Sequence, residues 1–164
     1  EAARRLHGEG RAIEFLLAGD PDPGNPAAVP EATVREWVAD EMTRHPQLVV
    51  MGDFNIAPDD RDVPDAAVWN DNHILTSTAE RAGLQALLDL GLHDAFRLKH
   101  QDAGIFSWWD YRAAGFRRNY GLRIDLNLVS DALAARLDDA GIDREPRTWE
   151  RPSDHAPAWI ALAG

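Results

Sequence analysis

The stretch on which the fold depends reads Leu48-Val49-Val50-Met51-Gly52-Asp53-Phe54-Asn55. Its apolar first half predicts a buried strand that ends at Gly52. Asp53 and Asn55 follow two residues apart, and in an extended chain such residues point to the same side. Open α/β sheets place their ligand sites at the carboxyl edge of the strands. We therefore expect Asp53 and Asn55 to face one site, with a turn closed by an Asx cap as the alternative.

The composition indicates one domain, or a large part of one, with a hydrophobic core. Of its 164 residues 45% are hydrophobic, and the formal net charge is −11. This acidic balance argues against non-specific coating of nucleic acid, but it is compatible with a local basic surface or a cation-dependent acidic site. The sequence has no apolar run of membrane-spanning length and no cysteine, which excludes disulfides and thiolate metal sites. We expect a cytoplasmic protein without membrane contact.

Helical and strand patterns alternate along the rest of the chain. Residues 31–45 show apolar side chains at helical spacing, and a capping box of Ser77 with Glu80 predicts a second helix that ends at Gly91. The further predictions are strands over 122–129 and 156–162, a short helix over 131–140, a proline-rich loop over 20–30, and either a strand or a helix over 13–17. This alternation indicates the α/β class, or a layered α+β fold.

A second polar cluster lies near the end of the chain. Ser153-Asp154-His155 places an imidazole beside a carboxylate just before a predicted strand. Histidine can act as a general acid or base, or as a donor to a phosphate oxygen, and its second ring nitrogen needs an orienting partner. Asp125 is an acid in an apolar strand and needs a partner of its own. We predict a hydrogen bond between Asp125 and His155; the alternative is a loop-capping aspartate and a surface histidine.

Four motifs occur in order along the chain: Gly52-Asp53-Phe54-Asn55-Ile56-Ala57-Pro58, Phe106-Ser107-Trp108-Trp109-Asp110-Tyr111-Arg112, Gly121-Leu122-Arg123-Ile124-Asp125 and Ser153-Asp154-His155-Ala156-Pro157. Together they closely resemble the exonuclease III family of DNA-repair nucleases, within the endonuclease/exonuclease/phosphatase superfamily. The resemblance implies a four-layer α/β/β/α sandwich, of which residues 31–164 would form the C-terminal part, with one sheet largely present and the other largely absent. Residues 1–30 remain an unplaced N-terminal segment.

The resemblance implies a role for each polar residue of these motifs. Asp53 resembles the acid that positions or deprotonates the attacking water, and Asn55 the amide that contacts the scissile phosphate. Asp125 resembles the acid that orients the histidine, and His155 the histidine that stabilises the charged phosphate. Asp154 resembles a metal-site carboxylate, and Asp53 and Asn55 are expected to share that site. Such oxygen ligands suit Mg²⁺ or Mn²⁺.

The same resemblance predicts substrate-binding residues. Trp108, Leu122 and Ile124 match positions that wall a pocket for an abasic sugar, and Arg112 belongs to the same aromatic motif. An apolar pocket admits a flipped-out sugar that lacks its base and excludes a normal nucleotide by size. The alternative is that the two adjacent tryptophans are core aromatics, and we expect this of Trp109.

The segment 97–123 is basic in an acidic chain. It holds six basic residues against two aspartates, a net charge of +4. A strip of this kind suits contact with a DNA backbone. A solvated face that happens to be basic is the alternative.

The resemblance implies a divalent-metal-dependent hydrolase that cleaves double-stranded DNA at abasic sites and removes nucleotides from 3′ ends in the 3′-to-5′ direction. The family's main metal-ligating glutamate lies in a Gln-Glu motif, and this sequence contains no Gln-Glu pair. We therefore expect a complementary N-terminal half as a partner, and little nuclease activity from the chain alone. One alternative is a catalytically incomplete fragment that keeps DNA or partner binding. Another is a superfamily phosphatase on a non-DNA phosphoester, against which the motif around Trp108 argues.

Overall fold

The computed structural model describes residues 11–14 and 31–164. Its strands are β1 (Arg11–Glu14), β2 (Leu48–Asp53), β3 (Leu92–Asp94), β4 (Asp125–Ser130), β5 (Leu137–Ile142) and β6 (Ala158–Leu162). Its α-helices are α1 (Glu31–Arg44), α2 (Thr78–Leu88), α3 (Ala95–Lys99), α4 (Gly115–Arg118) and α5 (Asp131–Ala134), and 3-10 turns cover Asp60–Asp62, Arg112–Ala114 and Glu145–Thr148. Within these ranges, no helix has both the length and the apolar character that a membrane crossing requires.

A four-stranded sheet in the order β1-β2-β4-β3 positions the rest of the described chain. β1 pairs parallel with β2, whereas β4 pairs antiparallel with both β2 and β3. Because side chains alternate along a strand, the opposed pair Val50 and Leu128 points to one face and the pair Val49 and Val129 to the other. The first face packs against α1 and α2, and the second packs against the two-stranded sheet β5-β6. A helix layer and two sheet layers follow one another, which confirms the predicted α/β layering.

The two long helices are confirmed close to their predicted bounds. At the start of α2 the Ser77 hydroxyl accepts the N–H of Glu80, and the Glu80 carboxylate accepts the N–H of Ser77 at 2.9 Å. This reciprocal pair satisfies two of the N–H groups that a helix start leaves free. The helix ends at Leu88, and Gly91 follows with a φ of 98°, a conformation that glycine adopts without a steric penalty.

The helix predicted over 131–140 is wrong in its second half. α5 ends at Ala134, and the chain returns as β5, which pairs antiparallel with β6. Leu137 and Ala140 are both buried although they lie three residues apart, a spacing typical of a helix. An irregularity in the β5-β6 register between Leu137 and Asp139 turns these two side chains to the same face.

The strand predicted over 122–129 begins only at Asp125, because a neighbouring segment holds the residues before it. The N–H of Leu122 donates to the carbonyl of Trp108, and the N–H of Ile124 donates to the hydroxyl of Ser107. β3 and α3 are elements that the sequence reasoning did not predict. In the N-terminal part, β1 shows strand at the start of the ambiguous segment, and the loop predicted over 20–30 lies outside the described residues.

Candidate active site

Three residues of the predicted catalytic set meet where β2 ends and β4 begins. Asp53 and Asp125 are opposed in the antiparallel register of these strands. Nδ1 of His155 lies 2.9 Å and 3.1 Å from the two carboxylate oxygens of Asp125. Its other ring nitrogen, Nε2, lies 3.8 Å from Oδ2 of Asp53. The predicted hydrogen bond between His155 and Asp125 is confirmed, and the imidazole lies between the two acids.

The surroundings shift the protonation of this cluster. The hydrogen bond with Asp125 raises the pKa of His155 above its ordinary value, although burial opposes the rise. Burial raises the pKa of the Asp53 carboxyl, and the nearby charge of Asp125 adds to this, while hydrogen bonds from Asn55 act in the opposite direction. A histidine that keeps its proton can donate to a negatively charged oxygen, and an acid with a raised pKa is a stronger proton acceptor.

Asn55 reaches this cluster by a turn and not by an extended strand. β2 ends at Asp53, Asn55 has a φ of 52°, and its N–H donates to Oδ1 of Asp53 at 2.9 Å. Asparagine tolerates this left-handed conformation better than most residues other than glycine. Between them Phe54 is fully buried, and its N–H donates to the carbonyl of Ile124. The expected extended conformation is wrong, and the alternative Asx turn is what folds Asn55 back onto Asp53.

The second, third and fourth motifs fold into one unit around Trp108. Trp108 forms isolated antiparallel bridges with Leu122 and with His155. Its indole Nε1–H donates to Oδ2 of Asp154 at 3.0 Å. These contacts place the partly exposed Trp108 next to the histidine, with Asp154 holding the edge of its ring.

Trp109 points the other way, as expected for a core aromatic. It is fully buried, and its ring meets that of Phe116 edge-on with centroids 5.0 Å apart. Gly121 permits this packing, since a Cβ there would lie 2.4 Å from both the Trp109 ring and the carbonyl oxygen of Trp108.

Leu122 and Ile124 are buried behind Trp108. Leu122 is 0% and Ile124 2% exposed, in a cluster with Ala57 and Val63 against which Trp108 packs. They support the ring from within and offer almost no surface of their own. Their role as walls of a substrate pocket stays a prediction.

Two arginines of the basic segment point into the protein. Arg123 is 0% exposed, and it donates to Asp62 at 2.6 Å and to Asp94 at 2.7 Å. Arg97 also pairs with Asp62 and is nearly as enclosed. The prediction that this segment forms a DNA-contacting strip is wrong for Arg97 and Arg123, because both guanidinium groups are enclosed and paired with aspartates inside the protein.

The remaining basic side chains of that segment are exposed: Lys99, Arg112, Arg117 and Arg118. Arg112, the predicted substrate contact, pairs with Asp110, with Nη2 2.6 Å from Oδ2. Its guanidinium is available to solvent, and its role in binding substrate stays a prediction.

The predicted metal ligands offer the oxygen donors that a hard divalent cation prefers. One carboxylate oxygen of Asp154 accepts a hydrogen bond from the Trp108 indole. One carboxylate oxygen of Asp53 accepts a hydrogen bond from the backbone N–H of Asn55. Among the residues that the structure describes, no group of three His, Asp or Glu side chains could hold a metal ion. The predicted donor set in this part of the protein consists of two carboxylates and one amide, and we call it partial because the resemblance implies a further glutamate.

An open pocket of about 740 Å³ lies against the cluster and gives solvent access to it. Asp125 and His155 line it together with Asn127, Trp149 and Arg151. The sequence reasoning missed Asn127, although its spacing of two residues from Asp125 on β4 predicts the same face. A polar residue at that spacing was the signal that could have revealed it.

Comparisons with known proteins show which family the chain resembles. The model of the Endonuclease/Exonuclease/phosphatase family matches residues 7–155. Exodeoxyribonuclease III of Haemophilus influenzae is 41% identical over 134 residues, which cover 78% of this chain and 50% of that protein. The chain spans about half the length of the curated relatives it matches.

Solved structures resemble nearly the whole chain. The 3′-5′ exonuclease NExo from Neisseria meningitidis has a TM-score of 0.88 and 44% identity, covering 95% of this chain and 62% of that one. The Neisseria 3′ phosphatase NExo bound to a product DNA hairpin has a TM-score of 0.87 and 42% identity, with the same coverage. These matches confirm the predicted sandwich fold and the resemblance to exonuclease III proteins. The chain therefore belongs to the endonuclease/exonuclease/phosphatase family.

Proposed function

We propose that this protein is a DNA-repair phosphodiesterase that cleaves double-stranded DNA at abasic sites and removes nucleotides from 3′ ends. The observation that carries the proposal is the hydrogen bond between His155 and Asp125 beside the carboxylate of Asp53. The names of similar proteins support the class of substrate, since they include an exodeoxyribonuclease III and a 3′-5′ exonuclease. A similar Neisseria protein was solved with a DNA hairpin.

Asp53, His155 and Asn55 can each take a different part in the hydrolysis of a phosphodiester, and Asp125 holds His155 in place. A water oxygen forms a bond to phosphorus, the bond to the departing sugar oxygen breaks, and that oxygen takes a proton from solvent. Asp53 accepts the proton of the attacking water. His155, held by Asp125, donates to the phosphate oxygen on which negative charge develops. The amide of Asn55 adds a donor that brings no negative charge.

The proposed cofactor is a divalent cation, Mg²⁺ or Mn²⁺. When bound, such an ion supplies positive charge beside the phosphate oxygens. Asp53, Asn55 and Asp154 are the ligands that this chain would contribute. Because the described residues form only a partial donor set, we assign the other ligands to a complementary N-terminal half.

Substrate choice is assigned to the surface around Trp108. Its ring is partly exposed, and buried Leu122 and Ile124 support it from behind. A sugar without a base fits against such an apolar wall once it is flipped out of the duplex, whereas an intact nucleotide is larger. Exposed Arg112 is the proposed contact to the DNA backbone. We also propose a cytoplasmic location, where such a protein would meet its DNA.

A second candidate function is that of a catalytically incomplete unit that keeps DNA or partner binding. The partial donor set favours it for this chain in isolation. A Mg²⁺ site needs well-placed carboxylates, and a misplaced reacting group costs about 10²-fold in rate. We therefore expect little or no nuclease activity from the chain alone.

The test compares this chain with a fusion in which the N-terminal half of the Haemophilus influenzae relative precedes it. The substrate is a duplex with one abasic analogue, assayed in Mg²⁺ and then in Mn²⁺. We expect cleavage by the fusion and little by the chain, with Asp53→Ala in the fusion as the control for a contaminating nuclease. A folded fusion that binds the duplex without cleaving it would favour the second candidate. Robust cleavage by the chain alone, lost with Asp53→Ala, would contradict the assignment of ligands to another half.

A further inference from the structure

Ser107 lies where three segments of the candidate site meet. Its side chain is fully buried. Its N–H donates to the carbonyl of Leu122 at 2.9 Å, and its carbonyl accepts the N–H of Ala156 at 2.7 Å. These bonds connect it to the chain just before Asp125 and just after His155. The residue therefore holds together the segments that supply the two hydrogen-bonded side chains.

The hydroxyl of Ser107 makes a contact that the backbone alone does not provide. The N–H groups of Ile124 and Asp125 both donate to Ser107 Oγ, each at 3.0 Å. β3 pairs with β4 only from Leu128 to Ser130, so Ser107 and not β3 meets the beginning of β4. A buried N–H group that loses its acceptor is costly, and the chain would move to avoid that cost. On the edge of β4 that faces away from β2, the Asp125 backbone is therefore held by this one oxygen atom.

We propose that Ser107 is a positioning residue, whose hydroxyl fixes the start of β4 so that the Asp125 carboxylate meets Nδ1 of His155. It touches no substrate in this proposal and acts only through Asp125. The effect of Ser107 on the position of Asp125 does not depend on the proposed nuclease function. The effect of Ser107 on cleavage rests on that function.

Ser130 provides a matched control at the other end of the same strand. It is also buried, and its Oγ accepts the N–H of Leu48 at 3.1 Å and donates to the carbonyl of Pro46 at 2.7 Å. Five residues along a strand correspond to about 17 Å, so this hydroxyl lies far from Asp125. Ser130→Ala therefore measures the general cost of removing a buried serine hydroxyl.

The experiment compares the chain, Ser107→Ala and Ser130→Ala by NMR and thermal unfolding. The ring-nitrogen chemical shifts of His155 report which nitrogen carries the proton, and Nδ1 carries it when Asp125 accepts. We expect both variants to lower the Tm, but only Ser107→Ala to change the His155 ring-nitrogen shifts. Only Ser107→Ala should speed hydrogen exchange at the Asp125 amide, by about tenfold. Unchanged ring shifts in Ser107→Ala, or equal changes in Ser130→Ala, would overturn the proposal.

Ser107→Cys replaces Ser107→Ala if the alanine variant does not fold. A thiol keeps the shape of the side chain but accepts hydrogen bonds weakly, and the sequence has no other cysteine with which it could pair. We expect the same direction of change in the His155 ring shifts, and unchanged shifts would again contradict the positioning role.

The fusion protein tests the consequence for catalysis. There, Ser107→Ala should lower kcat and leave KM nearly unchanged, because Asp125 orients a group that acts in the transition state. A raised KM with a normal kcat would contradict the role in catalysis. A fusion that does not cleave at all would count against the proposed function, while the NMR comparison on the chain would still decide the geometric role.

Discussion

Two clusters of acids and cations each include one residue of the Gly121–Asp125 motif, and the clusters differ in burial. The Arg123 and Asp62 side chains are both 0% exposed and hydrogen-bond at 2.6 Å and 3.1 Å. The His155 and Asp125 side chains are 30% and 18% exposed, and Nε2 of His155 is 3.8 Å from Asp53. The first cluster is closed to solvent, whereas the second faces an open pocket.

The difference separates a structural cluster from a chemical one. Arg123 keeps its charge, since the charges and hydrogen bonds of Asp94 and Asp62 raise its pKa against the effect of burial. No substrate can reach Arg123. Its role is to hold together the Asp60–Asp62 turn, β3 and the Gly121–Asp125 motif. The second ring nitrogen of His155, Nε2, lies 3.8 Å from Oδ2 of Asp53, so the two side chains are near enough to act together. The same types of side chain thus serve stability or chemistry according to burial.

The largest expected effect is on stability. Arg123→Ala would leave Asp62 and Asp94 as buried charges with less compensation, and we expect a loss of about 3–5 kcal/mol in the free energy of unfolding. Urea denaturation measures it. Arg61→Ala is the control, because Arg61 and its partner Asp59 are each 40% exposed, and we expect a loss below about 1 kcal/mol. Similar losses in the two variants would remove the distinction between a buried and an exposed pair.

The second effect is on catalysis. In the fusion protein, His155→Ala should lower the rate of cleavage by roughly 10²–10³, the usual effect of removing a transition-state donor, with little change in stability. His93→Ala is the matched control, since His93 also pairs with an aspartate, Asp131, but on the surface. Near-normal cleavage in His155→Ala would exclude His155 from the mechanism.

The third effect is on substrate choice. Trp108→Ala should lower cleavage at an abasic site by roughly tenfold relative to removal of 3′ nucleotides, because the apolar wall is lost. The Mg²⁺ titration midpoint should stay the same, since the indole carries no charge. Trp108→Phe keeps a ring but loses the hydrogen bond to Asp154. If the Mg²⁺ titration midpoint shifts in both variants, the loss of abasic-site cleavage comes from the lost hydrogen bond to Asp154. That result would contradict the role of Trp108 as a wall of the substrate pocket.

The smallest effect is on the pH dependence of stability. The folded pKa of His155 is raised, so its contribution to stability is complete below about pH 6.5, the unfolded value, and is lost as pH rises through the folded value. Because the side chain is partly exposed, we expect less than about 1 kcal/mol. The measurement is the difference in unfolding free energy between about pH 5.5 and 8.5, compared with Asp125→Asn. A pH dependence that is the same in both proteins would show that Asp125 does not hold the proton on His155.

The sequence by itself determined the parts of the molecule that depend on near neighbours. The Ser77 capping box and the apolar stretch of β2 involve residues a few positions apart, and each appears in the structure where the sequence predicts it. The hydrogen bond between His155 and Asp125 spans 30 positions, but the need of each side chain for a partner was visible in the sequence. For these features the chemistry of a residue and its local spacing are sufficient.

Only the tertiary structure decided what each polar residue contacts at a distance. Arg123 looks like a DNA contact within a basic segment, but Asp62, its partner 61 positions away, draws it into the interior. The helical spacing of Leu137 and Ala140 is likewise overruled by pairing with β6. Nothing in the sequence around Ser107 indicates that its hydroxyl accepts hydrogen bonds from two backbone N–H groups, 17 and 18 positions later in the chain. Local patterns record the preferences of a segment, whereas burial and long-range pairing depend on which segments the fold brings together.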